Sequence, residues 1–218
     1  MSAFIVFSGL DCSGKSTQID LLSKEFKNRN KKNMIFWSRG GYTPGFQLLK
    51  DIIRKVARKK LPKPGFTPQR EKALSNPFIL KIWLTIAMLD LIFYYSINLR
   101  VKSLLGYNII CDRYLMDTNI DFKLAYPNQK TENWVLWKIL KTMACKPDYH
   151  FVSTIPVEES VIRSKFKFEP FPDSPEVLAK RLVLYNENLN NDSSLIFIDG
   201  LRDKNEITQE IDKLVNRN

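Results

Sequence analysis

The stretch Ala3-Phe4-Ile5-Val6-Phe7-Ser8-Gly9-Leu10-Asp11-Cys12-Ser13-Gly14-Lys15-Ser16-Thr17 decides how the rest of the chain is read. Its first five residues form an apolar run of strand type, and its end opens an amphipathic helical pattern. Between them lie glycine, four residues, glycine, lysine and serine, the spacing of a phosphate-binding loop in the strand-then-helix context that such a loop needs. Gly9 and Gly14 permit the tight turn that faces backbone N–H groups toward phosphate oxygens, and Gly14 sits beside the positive end of the following helix. Lys15 is expected to reach the β and γ phosphates, and the Ser16 hydroxyl to ligate magnesium. The whole segment, Gly9, Leu10, Asp11, Cys12, Ser13, Gly14, Lys15, Ser16 and Thr17, is therefore an expected nucleoside triphosphate site.

The chain around this loop has 218 residues, the size of one α/β domain with elaborations, so residues 1–218 are expected to form a single domain. Hydrophobic residues at 44% and charged residues at 26% are ordinary globular proportions and argue against disorder. A net charge of +11 gives a surface that attracts polyanions, nucleotides among them. The first apolar run leads straight into the loop, unlike a secretory signal, and with Cys12, Cys111 and Cys145 this predicts a reducing, cytoplasmic setting. Cys12 reads as a spacer within the loop, with a redox role as the alternative. His150 is the single histidine, and no Cys or His spacing resembles a zinc site, so histidine-based catalysis is not expected.

Along the chain, helical periodicity over 16–26 is followed by a second strand at 33–37, an order that predicts a right-handed crossover and a parallel sheet. Residues 38–45 are glycine-rich, as loops at the carboxyl ends of parallel strands that carry ligands often are. The helical segment 46–60 is basic but has no interleaved aromatic residues, so it reads as a solvated face and no nucleic-acid partner is expected. Residues 78–97 are long and apolar enough for a bilayer span. Lys81 and Asp90 interrupt them, however, and they fall between two strands of one alternating pattern. This predicts a long buried helix, no membrane partner, and a remainder suited to a dimer interface.

A short strand at 107–111 ends in Asp112, Arg113 and Tyr114. Asp112 can hold a magnesium shell beside the phosphate loop or simply cap the next helix. Asp117 and Asp121 follow at helical spacing on one face. Helices are expected over 134–143, 156–165, 176–188 and 206–215, and strands over 148–153 and 194–198. Segment 164–175, basic and aromatic with three prolines, reads either as a closing lid or as a solvent loop.

Taken together these segments resemble the thymidylate kinase family. The resemblance covers nearly the whole chain and is carried chiefly by F-S-G-L-D-C-S-G-K-S-T at 7–17 and C-D-R-Y at 111–114. It implies a P-loop NTPase-type doubly wound five-stranded parallel sheet, with helices on both faces and a short lid at 164–175. It also implies ATP and Mg2+ as cosubstrate and cofactor and a nucleoside monophosphate as acceptor, while the expected homodimer rests on the long apolar helix. By this resemblance Asp11 meets the acceptor, Asp112 supports the metal, Arg113 binds the acceptor phosphate beside Tyr114, and Thr43, Pro44 and Lys50 match the segment after the second strand. Pro156, Glu158 and Arg163 match the start of the lid, which places Arg163 against the donor.

The chain also departs from that family. Ala87 and Leu91 stand where an aromatic residue and an arginine hold the base, and Asp117 and Phe122 where a serine and a glutamine line the acceptor pocket. Arg39 replaces a glutamate, and Thr154 the usual aspartate after the fourth strand. Cys12 occupies a position that can carry a catalytic arginine, which turns attention to Lys165 and Lys167 in the lid. The expected catalytic set is thus Lys15, Asp11, Arg113, Arg163, Lys165 and Lys167. The acceptor set is Asp11, Arg39, Lys50, Arg113, Tyr114 and Asp117, and the metal ligands are Ser16 and Asp112. A kinase for another small acceptor and a non-catalytic nucleotide-binding protein are the alternatives.

Overall fold

A computed structural model describes residues 2–37, 75–167 and 173–215. Five parallel strands form one sheet in the order β2-β3-β1-β4-β5. They are β1 (Phe4–Gly9), β2 (Asn33–Trp37), β3 (Asn108–Asp112), β4 (Tyr149–Thr154) and β5 (Leu195–Asp199). All six residues of β1 are buried, as the central strand of a sheet covered on both faces requires. The edge strands are less covered, and Trp37 on β2 and Phe197 on β5 are exposed.

Side chains alternate across β1 and build two cores. Phe4 and Val6 pack with Ile109 and Cys111 against the long helix α2 (Pro77–Ile92) and against α5 (Val135–Met143). Ile5 and Phe7 pack on the opposite face with Phe151 and Ile198 against α1 (Lys15–Asn28) and α8 (Lys204–Val215). Two further helices, α4 (Leu115–Ala125) and α7 (Pro175–Asn191), meet around Ile120, Val152 and Tyr185. Helix α6 (Val157–Lys167) follows β4 and rests on α7. The parallel doubly wound sheet read from the sequence is the fold observed, with strand ends shifted by one or two residues.

The long apolar segment continues past its expected end. After α2 the chain passes through a π-helical turn, Phe93–Asn98, into α3 (Leu99–Leu104). Asn76 starts it by accepting hydrogen bonds from the N–H groups of Phe78 (3.0 Å) and Ile79 (3.3 Å), with Pro77 at the first helical position. Gly106, at φ 81°, stops it. There the Tyr107 N–H reaches the Lys102 carbonyl and the Gly106 N–H the Ser103 carbonyl, a left-handed cap that a glycine adopts without steric cost.

Pro77–Leu104 is long and apolar enough to cross a membrane by length and composition. One flank, carrying Leu80, Leu84, Met88, Leu91, Tyr95 and Leu99, is part of the first core. The other leaves Phe78, Ile82, Leu89, Phe93, Ile97 and Leu104 exposed, so among the described residues the helix is covered along one side rather than on most faces.

These contacts set an order of costs. Leu84 is wholly buried, so Leu84→Ala should lower the free energy of unfolding by about 2–5 kcal/mol. Asn76→Ala removes a helix cap alone and should cost about 1 kcal/mol. Urea unfolding measures both, and equal costs, or a negligible one for Leu84→Ala, would contradict this packing.

Candidate active site

The parallel register brings the carboxyl ends of the strands to one edge. Phe7 on β1 lies level with Asp112 on β3 and Phe151 on β4, and Gly9 with Ser153. At Gly9 (φ 130°) an added Cβ would fall 1.9 Å from the Ser153 carbonyl oxygen, so β1 turns into the loop against bare β4 backbone. The Leu10 N–H donates to that same carbonyl at 3.1 Å, and the Ser153 hydroxyl donates to the Ser13 carbonyl at 2.8 Å. Helix α6 braces the loop from outside. Ser160 donates to the Asp11 carbonyl at 2.8 Å, and Arg163 spans the Cys12 (3.4 Å) and Gly200 (3.1 Å) carbonyls while its Nε meets Glu159.

Gly14, at φ 92°, precedes α1 with no side-chain cap, which leaves the helix N-terminus for an anion. Lys15 is buried, and its ammonium donates to the Leu10 carbonyl at 2.5 Å. Burial, followed by the nearby Arg113, lowers its pKa to about 8 against the pull of Asp11, Asp112 and Asp117. A phosphate at the loop would oppose both lowering effects and favour the ammonium. Ser16 and Thr17 are exposed at the start of α1.

Asp112 ends β3 beside this lysine. Desolvation raises its pKa, helped by Asp117, and Lys15, Arg113 and Lys167 oppose the rise without cancelling it. Magnesium bound beside nucleotide phosphates typically takes only one or two carboxylates from the protein. Ser16 and Asp112 fit that need, although the described residues contain no cluster of three or more metal-ligating side chains. Lys167, at the end of α6, is the lysine of the expected lid pair whose charge acts on Asp112.

Arg113 occupies the centre, 5% exposed and at φ 74°, a backbone region that non-glycine residues seldom adopt. Its N–H donates to the Phe7 carbonyl at 2.8 Å. Its guanidinium pairs with Asp11 through one terminal nitrogen, and through the other with Asp117 (3.4 Å) and the Tyr185 hydroxyl (3.3 Å).

Two expected acceptor residues are placed otherwise. Asp117 is 1% exposed and accepts hydrogen bonds from Ser8 Oγ (2.5 Å), Tyr185 Oη (2.7 Å) and the Tyr114 N–H (3.0 Å), so it holds Arg113 from behind instead of lining a pocket. Tyr114 turns into the core. Its ring lies 4.3 Å from that of Tyr95, and its hydroxyl donates to the Cys145 carbonyl at 2.9 Å. Their positions in the sequence, one and four residues after Arg113, gave no hint of side-chain direction. Arg39 and Lys50, with the whole of 38–74, lie outside the described residues. Ala87, Leu91 and Phe122 are all buried and apolar.

Sequence reading missed Ser160, Tyr185 and the turn after β5. A cavity of about 350 Å³ opens between the loop and that turn. Gly14, Thr17, Arg163, Gly200, Arg202 and Lys204 line it over an apolar floor that includes Phe7 and Ile198. An added Cβ at Gly200 would stand 2.5 Å from the Ser13 carbonyl, so glycine lets this turn close on the loop. The Asp199-Gly200 pair directly after the final apolar strand was the available signal.

His150 lies behind the site, its Nε2 at 2.8 Å from Ser8 Oγ. The Ser8 proton goes to Asp117, so Nε2 is the donor and the ring is neutral with its proton there. Burial lowers the His150 pKa, with Asp117 and then Asp192 opposing. The unfolded chain therefore takes up this proton first, near pH 6.5, and stability should fall as pH drops below that value toward the folded pKa. Thermal melts between pH 8 and pH 5 should show this slope, and His150→Gln should flatten it; an unchanged slope would refute the assignment.

No protein-family model matches the chain. It is 30% identical over 189 residues to a probable thymidylate kinase of Methanocaldococcus jannaschii, an alignment that covers 84% of this chain and 82% of that one. It is 25% identical over 214 residues to a thymidylate kinase of Thermosipho melanesiensis, covering 97% and 96% of the two chains. It is also 25% identical over 220 residues to probable thymidylate kinase 1 of Saccharolobus solfataricus, covering 100% and 99%. With the phosphate loop, the strand order and the Asp112-Arg113 pair in place, these similarities, the first at 30% identity over more than four-fifths of both chains, show that the chain belongs to the thymidylate kinase family.

Proposed function

We propose that this protein transfers the γ-phosphoryl group of ATP to a nucleoside monophosphate, with dTMP as the first acceptor to test (dTMP + ATP to dTDP + ADP). The observation that carries this reading is the juxtaposition, on one sheet edge, of a phosphate loop holding Lys15 and a buried cation, Arg113, that faces the loop's Asp11. One cation serves the donor and the other the acceptor.

In this reading the uncapped amides at 14–17 and Lys15 hold the donor phosphates, and the nucleoside occupies the cavity between Arg163 and the turn at 200–204. Ser16 and Asp112 would hold magnesium, which neutralises charge on the bridging phosphates when bound. Arg113 takes the acceptor phosphate in exchange for Asp11, which is then available to the acceptor. Lys165 and Lys167 supply positive charge from the end of α6, with Lys167 nearer the site because its charge acts on Asp112. Phosphoryl transfer asks for positioning and charge neutralisation more than for covalent steps, and these residues supply both. The relatives' names support the kinase class, and the buried apolar Ala87, Leu91 and Phe122 favour a second reading in which the acceptor is a different phosphorylated compound.

ADP release with ATP and magnesium against a panel of nucleoside monophosphates, nucleosides and sugar phosphates tests the proposal. Turnover with dTMP supports the first reading and turnover only elsewhere the second, whereas none with any acceptor would overturn both. Lys15→Ala and Asp112→Ala should each lower kcat/KM by about 100-fold or more. Asp112 is half-buried at the end of β3 and desolvation raises its pKa, so Asp112→Ala should keep the wild-type melting temperature. Normal activity in either variant would remove that residue from its role.

The exposed flank of the long helix is proposed as the contact between two copies of a soluble, cytoplasmic enzyme, since Phe78, Ile82, Leu89, Phe93 and Ile97 form one apolar stripe. Leu89→Lys should convert the dimer to monomer in light scattering. A wild-type monomer would refute the contact.

A further inference from the structure

Helices α4 and α7 face each other through two pairs of side chains, each pair four residues apart and so on one helical face. Asp117 and Asp121 stand on α4, Arg181 and Tyr185 on α7. Tyr185 Oη donates to Asp117 Oδ1 at 2.7 Å, and Arg181 donates to Asp121 Oδ1 at 2.6 Å and to Asp173 at 2.7 Å. The Tyr185 ring is fully buried against Ile120 and Val152, so its hydroxyl is aimed by packing as well as by its hydrogen bond.

A phenol has one proton. Here that proton goes to Asp117, which leaves a lone pair of the same oxygen for Arg113 Nη1 at 3.3 Å. Asp117 Oδ1 stands 3.4 Å from that nitrogen, so Nη1 is bracketed by two oxygens that are themselves bonded to each other. The other terminal nitrogen points to Asp11 on the phosphate loop. The backbone of Arg113 is in the left-handed region, where a side chain persists only when its surroundings over-determine it.

We infer that Tyr185 is a positioning residue, which with Asp117 clamps one end of the Arg113 guanidinium so that the other end is presented to an anionic acceptor. The inference rests on the proposed role of Arg113 as the acceptor-phosphate ligand. Tyr185 is fully buried behind Arg113, so its effect on an acceptor passes through Arg113. An acceptor phosphate competes with Asp11 for the outer nitrogen while the inner one stays fixed, so the acceptor meets an arginine already aimed.

Tyr185→Phe removes the hydroxyl and keeps the ring. The KM for dTMP should rise about tenfold, the size of one hydrogen bond to a charged group, while the KM for ATP stays within twofold. An unchanged dTMP KM, or an equal rise in both, overturns the inference. In an Arg113→Lys background Tyr185→Phe should add no further rise, and a tenfold effect there also overturns it.

A readout independent of turnover is the Arg113 Nε–H resonance, assigned by its loss in Arg113→Lys. It should shift and broaden in Tyr185→Phe, and an unmoved, sharp resonance refutes the clamp even if dTMP is not a substrate. Should Tyr185→Phe not fold, Asp117→Asn, which keeps the side-chain shape and removes the charge, takes its place with the same expected changes. A wild-type protein without dTMP turnover whose resonance responds as described would sink the proposed acceptor and leave the clamp standing.

Discussion

There is no room for a Cβ at position 9, and the geometry of the site follows from that absence. With Gly9 against the Ser153 carbonyl, the loop leaves β1 in contact with β4, and the Ser153 hydroxyl then holds the loop's far side at the Ser13 carbonyl. Helix α6 leaves β4 next and returns over the loop, where Ser160 and Arg163 take the carbonyls of Asp11 and Cys12. Loop carbonyls are thus bonded toward the protein body. This division suits a site for anions, because the uncapped N-terminus of α1 is left to meet them.

The charges behind the loop follow a second rule, that buried ions persist when paired and hydrogen-bonded. Asp117 illustrates it. Burial acts to raise its pKa, yet Arg113 and the hydrogen bonds from Ser8, Tyr185 and the Tyr114 amide outweigh burial, and the group stays ionised. Lys15 and Asp112 break the rule, since burial pushes the pKa of each toward its neutral form. In the proposed function a donor phosphate meets Lys15 and a metal ion meets Asp112, each favouring the charged form that desolvation opposes.

The sequence revealed the fold better than the direction of side chains. Continuous apolar runs marked the buried strands, and the glycine spacing marked the loop, because both follow from local rules of burial and backbone freedom. The end of the long helix was missed because the apolar run stops near Ile97, whereas the helix continues through Arg100, Lys102 and Ser103 until Gly106 ends it. Tyr114 was assigned to the acceptor as part of the D-R-Y segment, and Asp117 because it stands where the resembled family has a pocket serine. Their directions depend on α4, whose N-terminal turn aims Asp117 back at the Tyr114 amide and sends the Tyr114 ring into the core. Tyr185 was illegible for a further reason. Its hydroxyl acts on a residue 72 positions away, and no local spacing signals such a contact.

The same comparison locates what is distinctive in this family member. Ala87, Leu91 and Phe122 are not gaps in a polar pocket. Leu91 and Phe122 belong to the apolar cluster that α2 builds with β1 and β3, and Ala87 is buried on the same helix. Residues absorbed into a core cannot donate or accept hydrogen bonds to a base edge, and discrimination among bases rests on such bonds because shape alone separates similar ligands poorly. The phosphate end keeps strong electrostatics, with Arg113 clamped from behind. In the proposed function, therefore, recognition of the acceptor's base has to come from residues other than these three.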